Sequence, residues 1–328
     1  MLEILIVIVL LALLFDVSNG WNDSANAIAT VVSTRVLTPL QAVLLAATMN
    51  VVGAFITTAV AKTIGNGVVN PKDIATVVVV ATLVASFSWN SLMTLLGLPV
   101  SASHALIGSL IGAAVAFGGV GILNLMGLKK IFIALLVSPV LGLIMGYLFM
   151  KFILHAFGSY PPGPLNRIFG RLQLLSAGMM ALGHGSNDAQ KAMGIITLAL
   201  VSAGYLETTT VPFWVILSCG LAMGTGTAMG GWRVIKTLGT KMLKLEPVHG
   251  FAAETSAFSL ILGASHLGLP VSTTHVISST IVGVGATKRL TAVRWGIAGR
   301  IVMAWVFTLP ACAAFAWLVC KILLPILP

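Results

Sequence analysis

Charge is what this sequence has least of. Only 8% of its 328 residues are charged, and eight of them are acidic. Soluble chains carry roughly 25% charged residues, and a third of that density cannot cover a water-facing surface. Cysteine and tyrosine are also scarce, at three each. Cys219, Cys312 and Cys320 lie in apolar runs at no metal-binding spacing, so neither a disulfide framework nor a zinc site is indicated. No stretch is polar and long enough to form a separate soluble domain. Aqueous enzymes, nucleic-acid binders and extracellular scaffolds are excluded, even though the formal charge is +10. In short loops a surplus of Lys and Arg sets membrane topology.

What the sequence has instead is apolar length. Hydrophobic residues make up 58% of it, and the mean hydropathy is +1.06. Apolar segments fall near 2–34, 40–61, 74–97, 100–118, 131–150, 172–202, 211–229, 249–267, 271–286 and 295–320. Such runs are too long and continuous for barrel strands. Helices are the other backbone that satisfies itself in lipid. The expected fold is all-α, a multi-pass protein of the inner or plasma membrane with about ten to twelve helical segments. The apolar start runs into Asp16 and Asn19 without a cleavage pattern, so it is expected to belong to the first span.

Two phrases occur twice. Gly97-Leu98-Pro99-Val100-Ser101-Ala102-Ser103-His104 returns as Gly268-Leu269-Pro270-Val271-Ser272-Thr273-Thr274-His275, at an offset of 171. Asn22-Asp23-Ser24-Ala25-Asn26-Ala27 returns as Asn187-Asp188-Ala189-Gln190-Lys191-Ala192, at an offset of 165. The same order at nearly the same offset means an internal duplication. The expected division is a first repeat over 1–159, a linker over 160–170 and a second repeat over 171–328.

Basic residues suggest how the repeats lie. With one crossing per segment and the N-terminus outside, eleven fall inside: Arg35, Lys151, Arg167, Arg171, Arg233, Lys236, Lys241, Lys244, Lys288, Arg289 and Arg294. Five fall outside: Lys62, Lys72, Lys129, Lys130 and Lys321. That bias follows the positive-inside rule. An odd number of crossings per half makes the repeats inverted, with interrupted helices or re-entrant hairpins at the doubled phrases.

Inverted repeats with matched interruptions point to a secondary transporter whose site lies near the bilayer midplane. A new helix N-terminus inside the membrane attracts an anion. Pro99 and Pro270 stop the preceding helices, and Ser101 and Ser272 sit at N-cap positions. Their hydroxyls, with those of Ser103, Thr273 and Thr274, make an uncharged cage for an oxyanion; plain capping at the membrane interface is the simpler alternative. Asp23 and Asp188 lie in long apolar runs, where a carboxylate costs at least about 2.5–3.5 kcal/mol and wants a partner. Oxygens of Asp23, Asp188, Asn22 and Asn187 would suit sodium. For Asp188 a pair with Lys191, three residues on, competes with that reading. Asn26 and Gln190 can face either ion. Glu254, between apolar runs, is a candidate for a coupling cation or a proton, and position 83 opposite it is Leu. Asp16, Asp73, Glu207 and Glu246 are expected in loops or at interfaces. His104 and His275 are expected to be hydrogen-bonded core residues. A hydrolase is disfavoured by the absence of Gly-x-Ser-Gly and His-Glu-x-x-His. A passive anion channel would want a continuous polar stripe rather than paired blocks.

The phrases around Asp23 and Asp188, the two Gly-Leu-Pro-Val-Ser blocks and Gly250-Phe251-Ala252-Ala253-Glu254 together resemble the inorganic phosphate transporter (PiT) family over about Asp16 to Gly285. The resemblance implies cation-coupled uptake of inorganic phosphate by alternating access, with sodium favoured and a proton next, and no other cofactor. It also implies that Asp23 and Asp188 are essential carboxylates bordering both sites, that the block serines and threonines line the phosphate site, and that Glu254 is functionally important. Acids that many members carry in the first half are neutral here, Asn50 being an example. The connection between the halves is short, as in a minimal prokaryotic form. Relatives that carry sulfate keep that anion open. A carboxylate facing the anion favours phosphate, which can donate a hydrogen bond near neutral pH. A homodimer suits a carrier whose scaffold needs an anchor, although no motif specifies one.

Overall fold

The computed structural model describes residues 2–70, 74–288, 291 and 293–327. Lys72, Asp73 and Arg289 lie outside the described residues, and the side chain of Lys288 is likewise not described. Twelve α-helices are present among the described residues. They are α1 (Leu2–Ser33), α2 (Pro39–Gly53), α3 (Ala59–Gly67), α4 (Thr76–Leu96), α5 (Ala102–Gly118), α6 (Leu125–Phe157), α7 (Pro162–Ser202), α8 (Phe213–Met229), α9 (Trp232–Lys236), α10 (Pro247–His266), α11 (Thr273–Lys288) and α12 (Trp295–Leu323). Extended pairing among the described residues is limited to one bridge, Val69 with Leu123.

Four helices, α1, α4, α6 and α12, are long and apolar enough to cross a membrane alone. Helix α8 and the stretch Trp232–Lys241 are together long and apolar enough for a further span or a re-entrant loop, with a bend of 63° between them. The sequence pattern treats 40–61 as one segment, but the chain breaks between α2 and α3. It also leaves Lys236–Pro247 as a connection, although its first turns are helical. Short helices of nine and five residues are too brief to carry a periodic signal. Of the residues taken as a linker, 162–170 are the first turns of the 41-residue α7.

Side-chain contacts give the helix directions. Thr34 bonds Gln173 while Asp23 faces His184 and Asp188, so α1 and α7 run antiparallel. Asn22 bonds Thr94, and Ile4 and Ile8 line a crevice with Thr76 and Val79, so α4 runs parallel to α1. The chain turns at 97–101 and returns as α5, making a hairpin whose tip lies beside the middle of α1. Helices α10 and α11 repeat the arrangement, with Asn187 bonded to Ser265 and Leu269. Gly97 and Gly268 end the descending arms at φ +72° and +65°, where a Cβ would be strained. Each hairpin packs against a long helix of the other half, α5 on α12 and α11 on α6. Gly112 faces the Ala313 backbone there, and Gly283 the Leu143 backbone. Small residues allow such close approach in lipid, where dispersion and packing replace the hydrophobic drive. Pro139 and Pro310 lie inside α6 and α12 at positions 171 apart.

Candidate functional site

The two hairpin tips bond to each other. Ser103 Oγ donates to Val271 O at 2.9 Å, and Thr274 Oγ1 lies 3.0 Å from Val100 O. Ser101 and Ser272 are N-caps as their positions suggest, accepting the backbone N–H of His104 at 3.1 Å and of His275 at 3.2 Å. The first backbone N–H groups of α5 and α11 therefore converge at one place.

Beneath the tips, α1 and α7 bring two acids together. Asp23 and Asp188 are 1% and 0% exposed. Thr273 Oγ1 donates to Asp188 Oδ2 at 3.0 Å, and Thr274 Oγ1 lies 3.0 Å from Asp23 Oδ1. A hydroxyl has one proton, so Thr274 serves either Asp23 or the Val100 carbonyl at a given moment. Asn26 Nδ2 donates to Thr274 Oγ1 at 3.0 Å and to Thr273 Oγ1 at 3.4 Å. The pairing weighed for Asp188 is present, with Lys191 Nζ 2.8 Å from Oδ1.

His184 completes the cluster and was missed in the sequence. Its Nε2 lies 3.2 Å from Asp188 Oδ2 and 3.8 Å from Asp23 Oδ2. Its Nδ1 lies 2.9 Å from Asn50 Oδ1. Asn50 spends its own amide on Thr227 at 2.8 Å, so the oxygen is turned to the ring and Nδ1 donates. The available signal was spacing alone, since His184 is one turn before Asp188 on an otherwise apolar stretch. Asp23, His184 and Asp188 each offer one atom within 4.8 Å of the others, close enough to hold a cation.

Several expected residues turn out to be differently employed. Gln190 is not turned to the hairpin tips. Its Oε1 accepts the N–H groups of Val60 at 2.8 Å and Ala61 at 3.0 Å, capping α3. Ser24 does the same for α9, accepting Gly231 N–H at 2.7 Å. Asn22 and Asn187 pin the ends of α4 and α10 through their amides, while their Oδ1 atoms are buried without a hydrogen-bond partner. Asn26 Oδ1 and Asp23 Oδ2 share that condition. Buried oxygens of this kind suit a small cation. Asp16, expected at an interface, is fully buried in α1. It lies in the middle of the long α1, on the side turned into the protein, with Phe15, Ser18 and Asn19 buried beside it.

Glu254 stands apart, two turns along α1 from Asp23. Its carboxylate accepts Thr30 Oγ1 at 2.5 Å and Gln173 Nε2 at 3.0 Å, and it also accepts the Ser176 hydroxyl. It is 0% exposed. The His104 and His275 rings meet at a tilt with centroids 4.6 Å apart, and His275 stacks at 3.8 Å on Trp305, whose Nε1 donates to Pro99 O. These contacts place them as braces behind the tips.

A helical membrane fold that buries charged side chains between facing hairpins fits a membrane transport protein, in which ionisable groups at that depth mark a substrate or ion path. The chain belongs to the phosphate transporter family, whose model matches residues 19–163 and 155–316. It is 46% identical over 316 residues to a "Probable low-affinity inorganic phosphate transporter" of Bacillus subtilis (strain 168), covering 95% of each chain. A protein of the same description from Rhizobium meliloti (strain 1021) is 45% identical over 94% of this chain and 93% of that one. A solved structure, "The sodium-dependent phosphate transporter", superposes with a TM-score of 0.93 at 26% identity, covering 99% of this chain and 100% of that one. Membership makes this chain a transporter rather than an enzyme, and a multi-pass protein of the cell membrane.

Proposed function

We propose that this protein imports inorganic phosphate by symport with a cation, sodium before proton, through two inverted repeats that alternate access to one site. The observation that carries the reading is the pair of carboxylates, Asp23 and Asp188, held under both hairpin tips by Thr274 and Thr273. Antiparallel α1 and α7 support the inversion, with the repeats meeting near the start of α7. The basic loop residues support a cytoplasmic end for α1.

Phosphate would sit between the tips, on the N–H groups opening α5 and α11 and the hydroxyls of Ser103, Thr273 and Thr274. Those hydroxyls are bonded to protein in this conformation, so the anion must exchange with the Thr–carboxylate contacts. Phosphate can return a hydrogen bond to a carboxylate; sulfate cannot near neutral pH. Sodium would take the oxygens of Asp23, Asn22 and Asn26 that lack a hydrogen bond. The printed name of the structural neighbour favours sodium over a proton, for which Glu254 is the candidate.

Labelled-phosphate uptake into proteoliposomes, with sodium and pH gradients imposed separately and sulfate as competitor, tests this. Sodium-driven, sulfate-resistant uptake is expected. Uptake driven by pH alone moves the coupling to a proton. Transport of labelled sulfate overturns the substrate, and flux that dissipates gradients without saturating makes the protein a channel.

A further inference from the structure

Matched positions in the two halves carry different charge. At the offset of 165, Asp23 corresponds to Asp188, Asn26 to Lys191 and Asn19 to His184. Asp23 is therefore bracketed on its own helix by two amides, one turn to each side. Asp188 is bracketed by an imidazole and an ammonium. Lys191 is 1% exposed, and its Nζ is 2.8 Å from Asp188 Oδ1. Asn26, its counterpart, reaches across to the opposite hairpin through its amide nitrogen and leaves its oxygen without a partner.

Two equivalent halves would each present a carboxylate and an amide oxygen, and each would need a mobile cation to offset the charge at that depth. Here one half meets the need with its own side chain. We propose that Lys191 is a tethered counter-ion that takes the place of one mobile cation, so that coupling runs through the Asp23 half alone. This rests on the reading that both carboxylates serve cation coupling. The consequence is a ratio of cation to phosphate lower by one than two sodium-binding halves would give. The ammonium cannot leave with the substrate, so it neutralises Asp188 in every conformation. A cation at Asp23 must instead be released and reloaded in each cycle.

The test is the coupling ratio in proteoliposomes at zero membrane potential, using phosphate and the cation that drives uptake. In the native protein a tenfold cation gradient should hold about a tenfold phosphate gradient at equilibrium, and in Lys191→Asn about a hundredfold. The Hill coefficient for the cation should rise in parallel. An unchanged ratio in transporting Lys191→Asn protein overturns the proposal, as does an effect confined to the KM for phosphate, which would make Lys191 an anion ligand. If that variant does not fold, Lys191→Gln, which keeps most of the side-chain length but carries no charge, supplies the second measurement. It should show the same steeper coupling ratio, and an unchanged ratio in transporting protein overturns the proposal. Asp23→Asn separates the two levels of argument, since coupled uptake surviving there overturns the carboxylate reading itself.

Discussion

Asp23 and Asp188 stand at matched points on α1 and α7, yet their surroundings differ at each further step. The second half adds a polar pocket around Glu254, built from Thr30, Gln173 and Ser176. The counterpart positions are Leu83, Ile8 and Leu11 in the first half, with Ile195 of α7 in the place of Thr30, and all four pack in one hydrophobic core. Backbone features are shared, including the hairpins, the glycine ends and the paired caps. Charged features are not. Duplication fixes the scaffold because both copies must satisfy the same backbone in lipid. Charge can diverge because the transported ions need meet only one complete set of ligands.

The largest expected effect breaks the comparison at the carboxylates. Asp23→Asn and Asp188→Asn should each reduce coupled uptake more than about a hundredfold, but only the second should also weaken the fold. Asp188→Asn keeps an oxygen but leaves the buried Lys191 ammonium without its counter-charge, at a cost of about 3–5 kcal/mol. Asp23 has no such close cation: its Oδ1 accepts Thr274, which an amide oxygen can also do, and its Oδ2 is 3.8 Å from His184. Thermal unfolding in detergent beside uptake would read both, and equal melting points would sink the distinction.

A second prediction sharpens what the halves share. Gly112→Val and Gly283→Val should both prevent accumulation of folded protein, because each side chain would strike the backbone of the helix it crosses. Fluorescence size-exclusion yield measures this; a tolerant position would show that the two hairpins are not packed alike.

Glu254 supplies an intermediate effect. Glu254→Leu copies the first half and strands the Thr30, Gln173 and Ser176 donors, at about 1–3 kcal/mol for each group left unpaired. Glu254→Gln keeps oxygen to accept a bond and should unfold at nearly the native temperature. If Gln also abolishes uptake, the charge acts in transport; if it transports normally, the carboxylate is structural.

The smallest effects belong to the caps. Ser101→Ala and Ser272→Ala should cost about 1 kcal/mol of stability each. Ser103→Ala and Thr274→Ala should instead raise the KM for phosphate more than that for the cation. The reverse pattern would put the anion elsewhere.

The residues themselves determined the all-helical membrane character and the duplication, and they singled out Asp23, Asp188, Glu254 and the two Pro-Val-Ser blocks as candidates. Each of those is a local signal: apolar run length, a repeated phrase, or an acid where water is absent. Three-dimensional packing decided the rest. His184 enters the cluster because α1 and α7 run antiparallel, which spacing along one helix does not announce. Gln190 leaves the site because α3 begins beside it, and α3 is too short to be seen in a hydropathy pattern. Thr30, Gln173 and Ser176 become partners of Glu254 only when three helices meet. A sequence declares what must be buried; which buried groups face each other depends on helix direction and register, and those are set by contacts between residues far apart in the chain.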